Sequence, residues 1–143
     1  MTSWWDRLRG GGSTPEAMAP SPIEEPRGRD RRPKPSPERL TNLNLGRYLH
    51  DHPRVVVDVW APWCGPCRAF APIFAHAAEE WGDRVGFAKV HADHEPTLVA
   101  RFGVRSIPSL LFFRDGELVR TEVGVVPAER LEKLLHKIFR DLD

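Results

Sequence analysis

The stretch that most constrains this chain is Trp60-Ala61-Pro62-Trp63-Cys64-Gly65-Pro66-Cys67, which holds its only two cysteines. Two thiols separated by two residues can close a small disulfide ring or contribute to a metal site. The apolar run of Val55, Val56, Val57 and Val59 just before them reads as a buried strand that ends at the pair. A metal site needs two further ligands, and the chain has neither a second cysteine pair nor an H-x(3-5)-H partner, so no bound metal is expected. The pair reads as a redox-active dithiol.

The octapeptide closely resembles the active-site signature of the thioredoxins, which is far more specific than a bare C-x-x-C. From about Leu40 to the C-terminus the order of apolar runs, helices and prolines is similar to that family, and Phe87-Ala88-Lys89-Val90 and Arg105-Ser106-Ile107-Pro108 match it in register. Within the family the chain looks most like bacterial thioredoxins with an N-terminal zinc ribbon. It lacks the two additional C-x-x-C pairs that such a ribbon requires.

The resemblance implies a protein-disulfide reductase acting by dithiol-disulfide exchange. A cysteine is nucleophilic as thiolate, and a helix N-terminus favours that charge, so Cys64 is expected to attack and the deeper Cys67 to resolve. Gly65 and Pro66 between them look like the reducing members of the fold, whereas its oxidants and isomerases usually carry a histidine before the second cysteine. Asp58 sits in an apolar strand. On pattern alone it is either an acid that reaches solvent at the strand end or a costly buried one; the resemblance makes it the buried acid that exchanges a proton with Cys67. Lys89 matches the family's lysine near that acid, although on pattern it reads as a solvated strand-edge residue. Ile107 and Pro108 would be a loop on pattern; in the family this proline is cis, faces the cysteines and adjoins backbone that pairs with substrate. Trp63 and Gly124 are expected to shape the same contact surface, Trp60 to pack beside it, and Arg68 to keep a positive charge at its rim.

No cofactor is expected to be bound. The resemblance implies electrons from NADPH delivered by a thioredoxin reductase, with that reductase and disulfide-containing proteins as partners to a monomer. The net charge of +1 argues against nucleic acid or a membrane surface as a partner of the whole chain. No run approaches the length of a membrane span, and Met1 to Gly12 carries charges where a signal peptide would need its apolar core, so a cytoplasmic protein is expected. The rival reading is a specialised or non-catalytic interaction module that uses the N-terminal tail.

That tail, residues 1–37, holds seven of the fourteen prolines, a Gly10-Gly11-Gly12-Ser13 run and the string Arg27-Gly28-Arg29-Asp30-Arg31-Arg32. Such a segment buries too little apolar surface to offset the entropy of ordering it and reads as disordered, Trp4 and Trp5 included. Residues 38–143 read as one thioredoxin domain, an α/β fold with a central mixed sheet and helices on both faces. Its expected elements are a short helix from Leu43 to Leu49, strands at Arg54 to Trp60 and Val85 to Val90, and a helix from Arg68 to Trp81 kinked at Pro72. A helix from Pro96 to Phe102, a hairpin turning at Asp115-Gly116 and a closing helix from Pro127 to Phe139 follow. Pro33, Pro35 and Pro37 put the family's first strand in doubt. His91, Asp93 and His94 read as varied loop polar groups rather than metal ligands.

Overall fold

The computed structural model describes residues 36–140. The tail expected over residues 1–37 lies outside them except for Ser36 and Pro37. The described chain runs β1 (Glu38–Arg39), α1 (Leu45–Asp51), β2 (Arg54–Trp60), α2 (Gly65–Trp81), β3 (Gly86–His91), α3 (Pro96–Arg101), β4 (Ser109–Arg114), β5 (Glu117–Val123) and α4 (Ala128–Ile138). The strands form one sheet in the order β1-β3-β2-β4-β5. β1, β3 and β2 pair in parallel, whereas β4 is antiparallel to both β2 and β5. The sheet is mixed, as expected.

Strand alternation sorts the side chains of β2 into two layers. Val56 points into a cluster with Phe70, Phe74 and Trp81 of α2 and Leu131, Leu134 and Leu135 of α4. Val55, Val57 and Val59 point the other way, toward Leu45 of α1 and Leu98 of α3. Both faces are therefore covered by helices, which is why the strand has to be apolar throughout. Each large side chain buried in these layers contributes about 1.5–3 kcal/mol relative to exposure. Asp58, two residues after Val56, faces the α2 layer.

The first strand is present but only two residues long. It begins directly after Pro37, pairs Glu38 with Ala88 and Arg39 with Lys89, and is prolonged by the Leu40 N–H donating to the Lys89 carbonyl at 2.9 Å. Pro37 just before it has no N–H to donate to the ladder. Leu40 anchors it as a fully buried residue.

The first helix starts later than its apolar spacing predicts, and Leu43 is 95% exposed rather than on its inner face. A local turn is responsible: the Thr41 N–H donates to Asn44 Oδ1 at 2.7 Å and the Leu43 N–H to Thr41 Oγ1 at 3.1 Å, which withholds these residues from the helix. By contrast, α2 begins earlier than its apolar stripe and runs unbroken through Pro72, although that residue has no N–H for the Arg68 carbonyl. The hairpin turns where expected. Asp115 and Gly116 both have positive φ, 52° and 84°, the combination that a two-residue turn matched to strand twist requires.

Candidate active site

The two cysteines lie where β2 gives way to α2. The strand ends at Trp60, and the Cys64 N–H donates to the Ala61 carbonyl at 3.2 Å, turning the chain so that Cys64 becomes the N-cap of the helix. Pro66 follows within the first turn, where a missing N–H costs nothing because that amide has no intrahelical partner. Gly65 is the first helical residue, and a side chain at its position would point into open space. The Cys67 N–H donates to Cys64 Sγ at 3.2 Å, and the two sulfurs are joined as a disulfide with the Cα atoms 5.2 Å apart. Sulfur thus takes the position that a serine or aspartate oxygen fills at other helix starts, accepting one of the free amides.

In this oxidised form Cys64 is 6% exposed and Cys67 2%. Cys64 is less open than the sequence reading expects, but it is the one of the pair that lines a groove. That groove, of about 560 Å³, is bounded by Trp63, Gly65 and Pro66 on one side and by Val104, Arg105, Ser106 and Ile107 on the other, with Ala92 and Val99 completing its wall. Across from the disulfide, the Ile107–Pro108 bond is cis and the Ile107 carbonyl oxygen lies 3.9 Å from Cys64 Sγ. Gly124 supports this loop: its N–H donates to the Pro108 carbonyl at 2.8 Å with φ at +95°, a conformation that favours glycine. The chain thereby brings together residues 64, 107, 108 and 124 from three separate segments.

Asp58 is fully buried, and neither of its oxygens has a hydrogen-bond partner. Burial therefore pushes its pKa from 3.8 up to about 7, partly opposed by the charge of Lys89. The alternative of an acid that reaches solvent is excluded. Lys89 does not sit at a sheet edge, because β3 lies between β1 and β2. It is half-buried, with Nζ 4.5 Å from the ring centroid of Trp60, so that the indole face replaces part of its hydration.

Trp63 is 66% exposed, and its indole N–H is fixed by Asp93, donating to Oδ2 at 2.7 Å. Asp93, read from sequence as one of several varied loop polar groups, thus holds the tryptophan that adjoins Cys64. Its neighbours do other work. His91 and His94 stack with ring centroids 3.7 Å apart, and His94 Nδ1 lies 3.1 Å from an Arg39 guanidinium nitrogen. Among the described residues no three His, Cys, Asp or Glu side chains converge as metal ligands. Arg68 keeps a charge near the disulfide while donating to the Pro62 carbonyl at 2.9 Å. No described helix is long and apolar enough to cross a membrane.

Residues 37–137 match the family profile described as Thioredoxin. The thioredoxin of Alicyclobacillus acidocaldarius subsp. acidocaldarius is 39% identical over 101 residues, which cover 71% of this chain and 96% of the relative. Thioredoxin 1 of Synechococcus elongatus is 47% identical over 83 residues, covering 58% of this chain and 78% of the relative. Among solved structures, a mutant thioredoxin from Halobacterium salinarum NRC-1 is 31% identical with a TM-score of 0.67, covering 71% of this chain and 89% of that one. A thioredoxin from Malassezia sympodialis gives a TM-score of 0.68 at 28% identity.

Proposed function

Because the chain belongs to the thioredoxin family, we propose that it reduces disulfide bonds in other proteins through the Cys64–Cys67 dithiol. The observation that carries this reading is the disulfide at the start of α2, with Cys64 as the helix cap and in the wall of an open groove. In the reduced protein, the Cys67 amide and the N-terminal end of α2 favour negative charge on Cys64. The Cys64 thiolate attacks one sulfur of a target disulfide, forming a mixed disulfide and expelling the other target sulfur as thiolate. Cys67 then gives up its proton and attacks Cys64. The second target thiol leaves, and the oxidised pair remains. Two electrons pass to the target.

Asp58 is the acceptor we assign to the Cys67 proton. A carboxyl group titrating at about 7 can exchange a proton near neutral pH, which an ordinary aspartate near 3.8 does poorly. Lys89 tunes that acid through its charge. Ile107 and Pro108 offer substrate backbone a place beside Cys64, while Trp63, Gly65, Pro66 and Gly124 shape the groove around it. Thioredoxins need no bound cofactor. We assign regeneration to an NADPH-dependent thioredoxin reductase, the site of action to the cytoplasm, and catalysis to residues 38–143, with residues 1–37 an appended tail.

The test is insulin reduction by the intact protein with NADPH and a bacterial thioredoxin reductase. Steady NADPH consumption and precipitation of the freed insulin chain are expected. If protein already reduced with dithiothreitol also fails to reduce insulin, the reductase reading fails; if only the coupled assay fails, the assignment of that reductase does.

A further inference from the structure

Arg105 lines the groove beside Cys64, and its surroundings set it apart from the other cations near the site. Arg68 is engaged by the Pro62 carbonyl, Lys89 lies over Trp60, Arg39 is beside His94, and Arg101 packs on Phe102. Arg105 is exposed and, among the described residues, makes no hydrogen bond or ion pair. Among the described residues no acidic side chain lines the groove, and Asp93, next to its lining residue Ala92, is engaged by the Trp63 indole. The remaining lining is largely apolar, contributed by Ala92, Val99, Val104, Ile107 and Pro66. A free guanidinium at the rim of an apolar trough is a recognition element for a carboxylate.

Its position in the chain sets its reach. Arg105 lies two residues before Ile107, whose carbonyl is 3.9 Å from Cys64 Sγ. The chain bends at Ser106, Ile107 and Pro108, so Arg105 flanks the target rather than running in line with it; an extended target advances about 3.3 Å per residue, which puts the first one or two side chains beside its cysteine within reach of a long arginine. A carboxylate there would otherwise repel the approaching Cys64 thiolate, and the guanidinium offsets that repulsion.

Resting on the reductase reading above, we propose that Arg105 is a specificity residue that favours targets carrying an acidic side chain within two residues of the cysteine under attack. The contact is solvent-exposed, so the expected preference is modest, roughly two- to fivefold in rate, and it should weaken as salt is raised.

The experiment uses the full chain, reduced with dithiothreitol and desalted, in single-turnover reactions followed by tryptophan fluorescence. Its substrates are three disulfide-linked peptide dimers, Glu-Ala-Cys-Ala-Glu, Gln-Ala-Cys-Ala-Gln and Lys-Ala-Cys-Ala-Lys, compared at low and high salt. The acidic dimer should react fastest and the basic one slowest. Arg105→Glu should invert the order, and Arg105→Lys should keep it, which a purely structural role for the side chain does not predict. Reduction of all three dimers with an acidic-to-basic ratio that survives Arg105→Glu overturns the assignment of Arg105 alone. Failure to reduce any dimer overturns the reductase reading and this proposal with it.

Discussion

Asp58 and Lys89 are register partners on the neighbouring parallel strands β2 and β3, yet the lysine turns to the indole of Trp60 and neither Asp58 oxygen accepts a hydrogen bond. A close ion pair would lower the pKa and leave the carboxylate too weak a base to take up a proton at neutral pH. A carboxyl group with no charge nearby would be pushed further up by burial than it is. The observed arrangement leaves it between these limits, at about 7.

Asp58→Asn should therefore stabilise the protein in a pH-dependent way. The folded-state pKa is raised, so the folded chain binds more protons than the unfolded one between about pH 4 and 7, and stability falls as pH rises through that window. The full cost of the charge is present above it. The gap between 3.8 and about 7 corresponds to an upper figure of about 4 kcal/mol. Asparagine still buries an unpaired amide, so a gain of roughly 1–3 kcal/mol is expected at pH 8, shrinking toward zero near pH 4. Urea unfolding at the two pH values measures it. An equal gain at both would mean that the acid is not the origin.

Lys89→Gln removes the charge that lowers the Asp58 pKa. The pH midpoint for resolution of a mixed disulfide should move upward by roughly one unit. In an Asp58→Asn background the same substitution should shift nothing, since the group it acts on has gone. A shift that persists in the double variant would show that Lys89 acts on another group.

The two cysteines should separate cleanly by trapping. Cys67→Ser keeps the Cys64 nucleophile but loses the resolving thiol, so adducts with target proteins should accumulate. Cys64→Ser should trap almost none. Blocking free thiols and running non-reducing gels with and without reductant reads the difference. Equal trapping by both variants would reverse the assignment of attacker and resolver.

Deleting residues 1–37 should change the melting temperature by less than a few degrees and leave insulin reduction nearly intact. The buried anchor of the first strand, Leu40, remains in the shortened chain. A larger fall, on the scale of about 1 kcal/mol or more, would show that the tail packs against the domain.

Much of this protein is legible in local sequence. The unbroken apolar run of β2 demands cover on both faces, the 3.6-residue spacing of Leu131, Leu134, Leu135 and Ile138 fixes the inner face of α4, and Asp115-Gly116 specifies its turn. The placement of Cys64 at a strand-to-helix transition follows from the residues on either side of it. What local pattern could not supply was partnership. Strand order is not chain order, so only the folded sheet shows that Lys89 lies on an interior strand and that Asp58 shares the α2 face with no hydrogen-bond partner. The approach of Ile107 to Cys64, the support of Pro108 by Gly124, the capture of Trp63 by Asp93 and the free guanidinium of Arg105 in the groove all join segments far apart in the chain. Propensity and periodicity act over a few residues, whereas burial, charge and groove shape are set by whatever the tertiary fold brings alongside. The sequence alone determined most of the elements and the dithiol, and the tertiary structure decided the first strand, where the first two helices begin and the electrostatic surroundings in which that dithiol works.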